Sequence, residues 1–229
     1  SMGHVQAVLL KGKAALQRFA QLMEQYREQA ANSLPTDLDS VFLTYGRRVN
    51  SLGEIHLSYE DAELLHARKF FSEQKQHVVG FEELPREDMF PSPLDASLLE
   101  QYASLFLRYL QSFNRNMLAE KLHQLERELS NLHYQQKEVL YFLTDLYLQV
   151  KSQVMRLYSD VTIPFPSNSW VMDYFQSRRY LYEIIQFFSE QFELIMSSIG
   201  NYSKDSVLED ILRYIEHNYM GPLKLENIA

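Results

Sequence analysis

Residues 114–129 read NRNMLAEKLHQLEREL, and this stretch decides how the larger part of the chain is interpreted. Four leucines recur at alternating spacings of four and three, which places them on one side of a helix. They are Leu118, Leu122, Leu125 and Leu129. Asn114 is a residue type that commonly caps a helix N-terminus. The stripe indicates a helix that pairs with another helix, and its short length favours packing within the chain over pairing across a dimer.

Outward from this stretch, apolar residues keep a helical spacing to the end of the chain, and no convincing strand occurs after residue 91. The other helices predicted there are one that starts at Ser92 or Asp95 and four over residues 134–158, 169–177, 180–199 and 204–219. The pair Gly200-Asn201 is predicted to end the helix over residues 180–199, because glycine and asparagine are common just past a helix end.

The first ninety residues show a mixed pattern. Short apolar or β-branched runs predict strands over residues 5–10, 40–45 and 77–81. Helices are predicted over residues 14–30 and from Ser51, where Glu54 three residues later has the spacing of a capping box. Prolines 85, 91 and 93 mark a boundary.

These patterns predict an α+β fold that is mainly α-helical. A small N-terminal α/β half-domain would occupy residues 1–90, and a helical linker and regulatory bundle residues 91–203. Residues 204–229 would form a third segment. Alternation of strand and helix followed by a run of helices is the basis of this division.

Composition narrows the range of functions. The chain has 229 residues, a net charge of −8 and no cysteine. The absence of cysteine excludes disulfides and thiolate metal sites and fits a reducing cytoplasm. An acidic chain is a poor partner for a phosphate backbone. No apolar run approaches the roughly 18 residues of a membrane span, so no membrane contact is expected.

Residues 211–229, ILRYIEHNYMGPLKLENIA, resemble the opening of an AraC-type DNA-binding domain. That family begins with a helix of the pattern I-x-x-Y-I-x-x-x-Y, followed by a turn and the sequence P-L-x-L-x-x-I-A. The matching positions are Ile211, Tyr214, Ile215, Tyr219, Pro222, Leu223, Leu225, Ile228 and Ala229. The resemblance implies that both helix-turn-helix units, which read DNA in this family, lie beyond Ala229. No DNA-contacting residue is therefore expected within the chain.

The N-terminal part resembles the second half of a GGDEF domain, the diguanylate-cyclase fold. The segments that carry this resemblance are residues 7–10, 42–46, 58–69 and 78–81. Residues 52–62 are also similar to a helix opening in response regulators and membrane-anchored regulators of the AraC type. The cyclase signature would fall on residues 2–6, MGHVQ, which supply no carboxylate to hold metal ions. A degenerate domain with a packing or sensing role is expected, and not an enzyme.

Several other groups could form sites, and each has a simpler structural interpretation. The acid pairs Glu82-Glu83 and Glu87-Asp88 suit a solvated linker, and His123 and His133 lack a third ligand of suitable spacing. Arg178-Arg179 with Arg156 could bind an anionic effector, although a helix surface pair is the expected role. An aromatic set could line a pocket but is expected to pack as core. It comprises Trp170, Tyr174, Phe175, Tyr180, Tyr182, Phe187, Phe188 and Phe192. No catalytic residue, cofactor or metal site is predicted.

The sequence therefore predicts the regulatory and dimerisation region of a bacterial transcription regulator. The expected partners are a second copy of the chain, an upstream receiver or membrane sensor domain, and DNA only through the missing C-terminal domain. Two alternatives stay open. One is a nucleotide-binding or vestigial diguanylate-cyclase-like sensor domain, and the other is a purely structural helical scaffold.

Overall fold

The computed structural model describes residues 6–32, 42–74, 76–84, 93–130 and 134–218, and its chain divides into two compact units. The first unit is Ser1–Met89 and the second is Phe90–Ala229. Helices account for most of the described residues, and the described strands are two short segments in the first unit. The prediction of a mainly helical chain with a small α/β part is confirmed at this level. No described helix has the length and apolar character needed to cross a membrane.

In its described residues, the first unit contains two α-helices and a two-stranded parallel sheet. In chain order these are α1 (Lys13–Asn32), β1 (Leu43–Tyr45), α2 (Ile55–Ala67) and β2 (Val78–Gly80). Leu43 pairs with Val78 and Tyr45 with Gly80. Parallel neighbours need a crossover connection, and α2 with its flanking turns supplies it.

The strand predictions for residues 40–45 and 77–81 are confirmed over Leu43–Tyr45 and Val78–Gly80, whereas the one for residues 5–10 is wrong in its described part. Residues 6–10 form no strand, and Val8 and Leu9 are 79% and 64% exposed. An isolated apolar run gains strand structure only when a neighbouring strand accepts its backbone hydrogen bonds. No such neighbour stands beside it in the described part of the unit.

One glycine and one cap hold this unit in shape. A Cβ on Gly46 would overlap the backbone carbonyl of Ser58, so only glycine permits the close approach of the chain after β1 to α2. The Glu54 carboxylate accepts the backbone N–H groups of Asn50 and Ser51 at 3.3 and 3.2 Å, as the predicted capping position requires. This hydrogen bonding starts the turn that leads into α2.

The second unit is all helical in its described part. It contains α3 (Ala96–Gln111), α4 (Arg115–Leu129), α5 (Gln136–Leu157), α6 (Asn168–Ser177) and α7 (Leu181–Asn218). Helix α3 packs against α4, α5 and α7, while α4 also contacts α7 and α5 contacts α6. Two predicted caps are confirmed, because Asp95 accepts the N–H of Ser97 at 2.9 Å and Asn114 that of Met117 at 3.1 Å.

The turn between α3 and α4 is unusually tight. Phe113 adopts φ 52°, a left-handed conformation that non-glycine residues seldom take. The backbone N–H of Asn114 then reaches the carbonyl of Tyr109 at 2.9 Å, which closes the end of α3. The turn sends α4 back along α3 and places the Phe113 ring beside α7.

Helix α7 corrects the prediction of two helices at the end of the chain. Gly200 and Asn201 do not end a helix but lie inside one of 38 residues. Packing explains the difference, since residues up to Ile199 are anchored in the core and the helix can propagate from that anchor more easily than it could nucleate again. The packed helix therefore continues through Gly200 and Asn201, although these residue types favour a helix end.

Candidate functional site

The first half of α7 is the central element of the core. Its buried residues include Phe188, fully shielded from solvent, and Phe192 at 2% exposure. The Phe192 ring lies 5.0 Å from that of Phe106 on α3, and the Phe188 ring lies 5.7 Å from that of Tyr147 on α5. A change in the packing of α3 or α5 would therefore directly displace the first half of α7.

The second half of α7 has a different character, because its apolar residues are exposed. Val207, Leu208 and Leu212 are 56%, 56% and 50% exposed, and Ile211 and Ile215 are half-buried. At 100° per residue these five side chains fall within an arc of roughly 140° on one side of the helix. We call this set the outer face. An apolar stripe of this width is typical of a helix that packs against a partner.

The outer face does not continue the stripe that faces the core. Extending the core-facing spacing beyond Ile199 reaches only polar residues, namely Ser203, Ser206, Asp210, Arg213 and His217. The apolar side of α7 thus turns by roughly 150° about the helix axis between its two halves. The outer face consequently points away from the helices that bury the first half.

Three residues of the C-terminal sequence motif belong to this second half. Ile211, Tyr214 and Ile215 are half-buried and follow one another at helical spacing on α7. The remaining motif positions lie outside the described residues; they are Tyr219, Pro222, Leu223, Leu225, Ile228 and Ala229. Sequence reasoning named the motif but missed the exposed Val207, Leu208 and Leu212, which the change of spacing after Ile199 could have revealed.

The leucine stripe of α4 lies inside the second unit. Leu118 and Leu122 are 3% exposed, and Leu125 and Leu129 are fully shielded. Helix α4 makes its contacts with α3 and α7, so these leucines fill the space between the three helices. Because all four leucines are buried, this stripe has no exposed apolar surface that a second copy of the chain could contact.

The aromatic set separates into core and surface members. Phe175, Phe187, Phe188 and Phe192 are buried, whereas Trp170 is 47% exposed. The Trp170 ring stacks on Tyr174 at 4.7 Å, and both rings lie over Phe187 at 6.0 and 5.2 Å. Tyr180 and Tyr182 stack on each other at 5.2 Å.

The arginines at the α6–α7 turn have partners of their own. The Arg178 guanidinium lies 4.2 Å from the Tyr174 ring centre and 3.8 Å from a carboxylate oxygen of Glu183. The other oxygen of Glu183 accepts the backbone N–H groups of Arg179 and Tyr180 at 2.8 and 2.9 Å, which caps α7. Arg156 is exposed near the end of α5, and no hydrogen bond or ion pair of the described residues joins it to this turn. The three arginines thus do not form a shared anion pocket among the described contacts.

The acidic and histidine candidates are placed as surface groups. Glu83 pairs with Arg27 at 3.1 Å and accepts the N–H of Gly80 at 3.1 Å, so it ties α1 to the end of β2. His123 is exposed and lies 3.7 Å from Glu126. His133 and the pair Glu87-Asp88 lie outside the described residues, as do residues 2–5 of the expected cyclase signature. No group of three or more metal-ligating side chains occurs where the chain is described.

One polar cluster escaped sequence reasoning. Asp61 on α2 is buried and accepts three hydrogen bonds from Arg47, from its backbone N, Nε and Nη2 at 3.0, 2.7 and 2.9 Å. The Arg47 hydrogen bonds hold the pKa of Asp61 below its ordinary value. The guanidinium also lies over the Phe81 ring at 5.0 Å. The cluster joins the chain after β1 to α2. Arg47 and Asp61 lie 14 residues apart and match no sequence motif that would predict their pairing.

Comparison of the chain with family models, curated proteins and solved structures finds no match. Among the features above, the outer face is the one that is apolar, is largely exposed and includes two positions of the sequence motif, Ile211 and Ile215.

Proposed function

We propose that this chain is the regulatory region of a bacterial AraC-type transcription regulator, in which α7 connects a helical sensing unit to a C-terminal DNA-binding domain. The observation that carries the proposal is the continuity of α7. One helix is buried in the core over its first half and presents motif residues Ile211, Tyr214 and Ile215 in its second half. A displacement of α3 or α5 would reach the motif through an unbroken helix.

The outer face supports the same proposal because it needs a cover. Three of its side chains are half exposed or more, and burying the surface that remains exposed would contribute about 1 kcal/mol for each. The segment that follows α7 supplies apolar residues at matching helical spacing, Leu225 and Ile228, after the turn formers Gly221 and Pro222. This segment and the domain that would follow it are the proposed cover.

The net charge of the chain supports the assignment of DNA binding to a separate domain. With a net charge of −8, the chain itself would repel a phosphate backbone, so DNA contact belongs to the C-terminal domain. Paired recognition units suit paired half-sites, which favours a homodimer in the cytoplasm. An upstream receiver or membrane sensor would supply the signal, and the first unit would be a degenerate cyclase-like domain that packs or senses without catalysis.

The test uses a longer protein in which the proposed DNA-binding domain follows Ala229. Fluorescence anisotropy with its promoter DNA should show binding that weakens steeply with salt, whereas the 229-residue chain should show none. Ile215→Gln in the longer protein should weaken DNA binding at least tenfold, because a polar side chain would stand where the DNA-binding domain docks.

Leu157→Gln is the matched control, since Leu157 is an exposed aliphatic residue at the end of α5. It should leave DNA binding unchanged. Equal DNA binding by Ile215→Gln and the parent, or the absence of two helix-turn-helix units after Ala229, would contradict the proposal.

A further inference from the structure

Two serines near the middle of α7 weaken the regular helix. The hydroxyls of Ser197 and Ser198 both donate to the carbonyl oxygen of Leu194, at 3.0 and 2.8 Å. In a regular helix that carbonyl already accepts the backbone N–H of Ser198. Side-chain bonds of this kind compete with the backbone and often bend a helix.

Gly200 and Asn201 follow directly, and both are poor helix formers. No steric reason demands a glycine here, because a Cβ on Gly200 would stand 3.9 Å from Cε1 of Phe113, an ordinary contact. Its φ also lies outside the left-handed region, so an alanine could adopt the same backbone. What glycine adds at this position is conformational freedom.

The segment also lies where the anchoring of α7 changes. Ile199 is the last core residue of α7 among those described, at 7% exposure, and the outer face begins at Val207 on the other side of the helix. The part of α7 after Gly200 therefore gains little from the packing that holds the part before it.

We propose that residues 197–201, Ser-Ser-Ile-Gly-Asn, form a hinge that lets α7 change between a straight and a bent form. The outer face keeps one orientation to the core when α7 is straight and another when it bends. The use of this hinge in regulation rests on the proposed function, but its existence does not. It is the two-state element that signal transmission along α7 requires.

Spin-label distance measurements on the 229-residue chain test the hinge without DNA. The chain has no cysteine, so Ser189→Cys with His217→Cys places one label in each half of α7 at exposed positions. A straight helix would separate these two α-carbons by about 42 Å. We expect a broad distribution that includes clearly shorter distances.

Gly200→Ala and, separately, Asn201→Ala should narrow the distribution toward the straight-helix distance. The ratio of straight to bent forms should rise about fivefold for Gly200→Ala, given the helix propensities of the two residues. Gly53→Ala is the matched control, because Gly53 also has open space for a Cβ but lies in the first unit. It should change nothing.

A narrow distribution near the straight-helix distance in the parent would overturn the hinge, as would a broad one that neither variant in α7 narrows. Absence of DNA binding by the unmutated longer protein, together with an intact hinge response, would instead count against the proposed function alone.

Discussion

Asp61 is the residue on which the first unit most depends. Its carboxylate is almost fully buried, yet both oxygens are bonded to Arg47, so the charge is compensated where it is desolvated. The backbone N–H of Arg47 adds a third bond at 3.0 Å that fixes the path of the chain after β1. A small unit with few buried apolar side chains gains much of its specificity from such a bond set.

We expect Asp61→Asn to destabilise the first unit by about 2 kcal/mol, because an amide cannot satisfy the Arg47 fork and carries no charge to pair with the guanidinium. Hydrogen exchange of the amides in β1 and α2 measures the change without interference from the second unit. Glu73→Gln, an exposed carboxylate of the first unit that is not among the groups acting on Arg47, should leave those exchange rates as they are.

The same carboxylate predicts a pH dependence. The pKa of Asp61 is lowered in the folded state, chiefly by its hydrogen bond with the Arg47 side chain. Its contribution to stability is therefore fully present above the unfolded carboxyl pKa of about 3.9 and is lost as the pH falls through the lower folded value.

Protection factors in α2, which correct for the pH dependence of intrinsic exchange, should accordingly fall more steeply in the parent than in Asp61→Asn between about pH 4 and about pH 2, below the unfolded carboxyl pKa. Parallel pH curves for the two proteins would show that Asp61 is not the titrating group.

At the scale of elements, the spacing of apolar residues predicts α4 correctly but does not predict the length of α7. The leucine stripe of α4 and the caps of α3 and α4 follow from local residue pattern, since their partners are neighbouring backbone groups or a single helix side. Helix α7 could not be predicted in the same way. Gly200-Asn201 is a stop signal locally, and only the packing of Phe188, Phe192 and Ile199 decides that the helix continues.

Leu125→Ala should lower the free energy of unfolding of the second unit by about 2–5 kcal/mol, since it opens a cavity between α4 and its neighbours. Because the stripe is buried within one chain, the loss should not depend on protein concentration. Urea unfolding monitored by circular dichroism at two protein concentrations measures both. His123→Ala, on the exposed side of α4, is the control, and a concentration-dependent loss for Leu125→Ala would point to a dimer interface instead.

At the scale of the whole molecule, the apolar core is unevenly divided. Leu65, Phe70, Val78 and Val79 are the buried apolar residues of the first unit in the described chain, and all others belong to the second. Composition and helical periodicity were sufficient to predict a mainly helical chain with a small mixed part. They could not predict the Asp61–Arg47 pair or the exposure of Val8 and Leu9, because both depend on partners distant in the sequence or absent from its local pattern.

This division predicts that a shorter chain of residues 90–229 folds alone. It should keep a cooperative thermal transition with the helical circular dichroism of α3 to α7, because the great majority of the buried side chains stay with it. A chain of residues 1–89 should unfold at a lower temperature. A shorter helical chain with a gradual, non-cooperative transition would contradict the prediction.

The stacked pair Trp170 and Tyr174 has a spectroscopic consequence. Trp170 is the only tryptophan of the chain, and its indole is half exposed on α6 against Tyr174 and above Phe187. Excitation at the red edge of the indole band therefore addresses a single chromophore in the helical unit. Trp170 fluorescence therefore follows the unfolding of the second unit alone. Far-ultraviolet circular dichroism follows the helices of both units, so the two measurements together distinguish the unfolding of one unit from that of the whole chain.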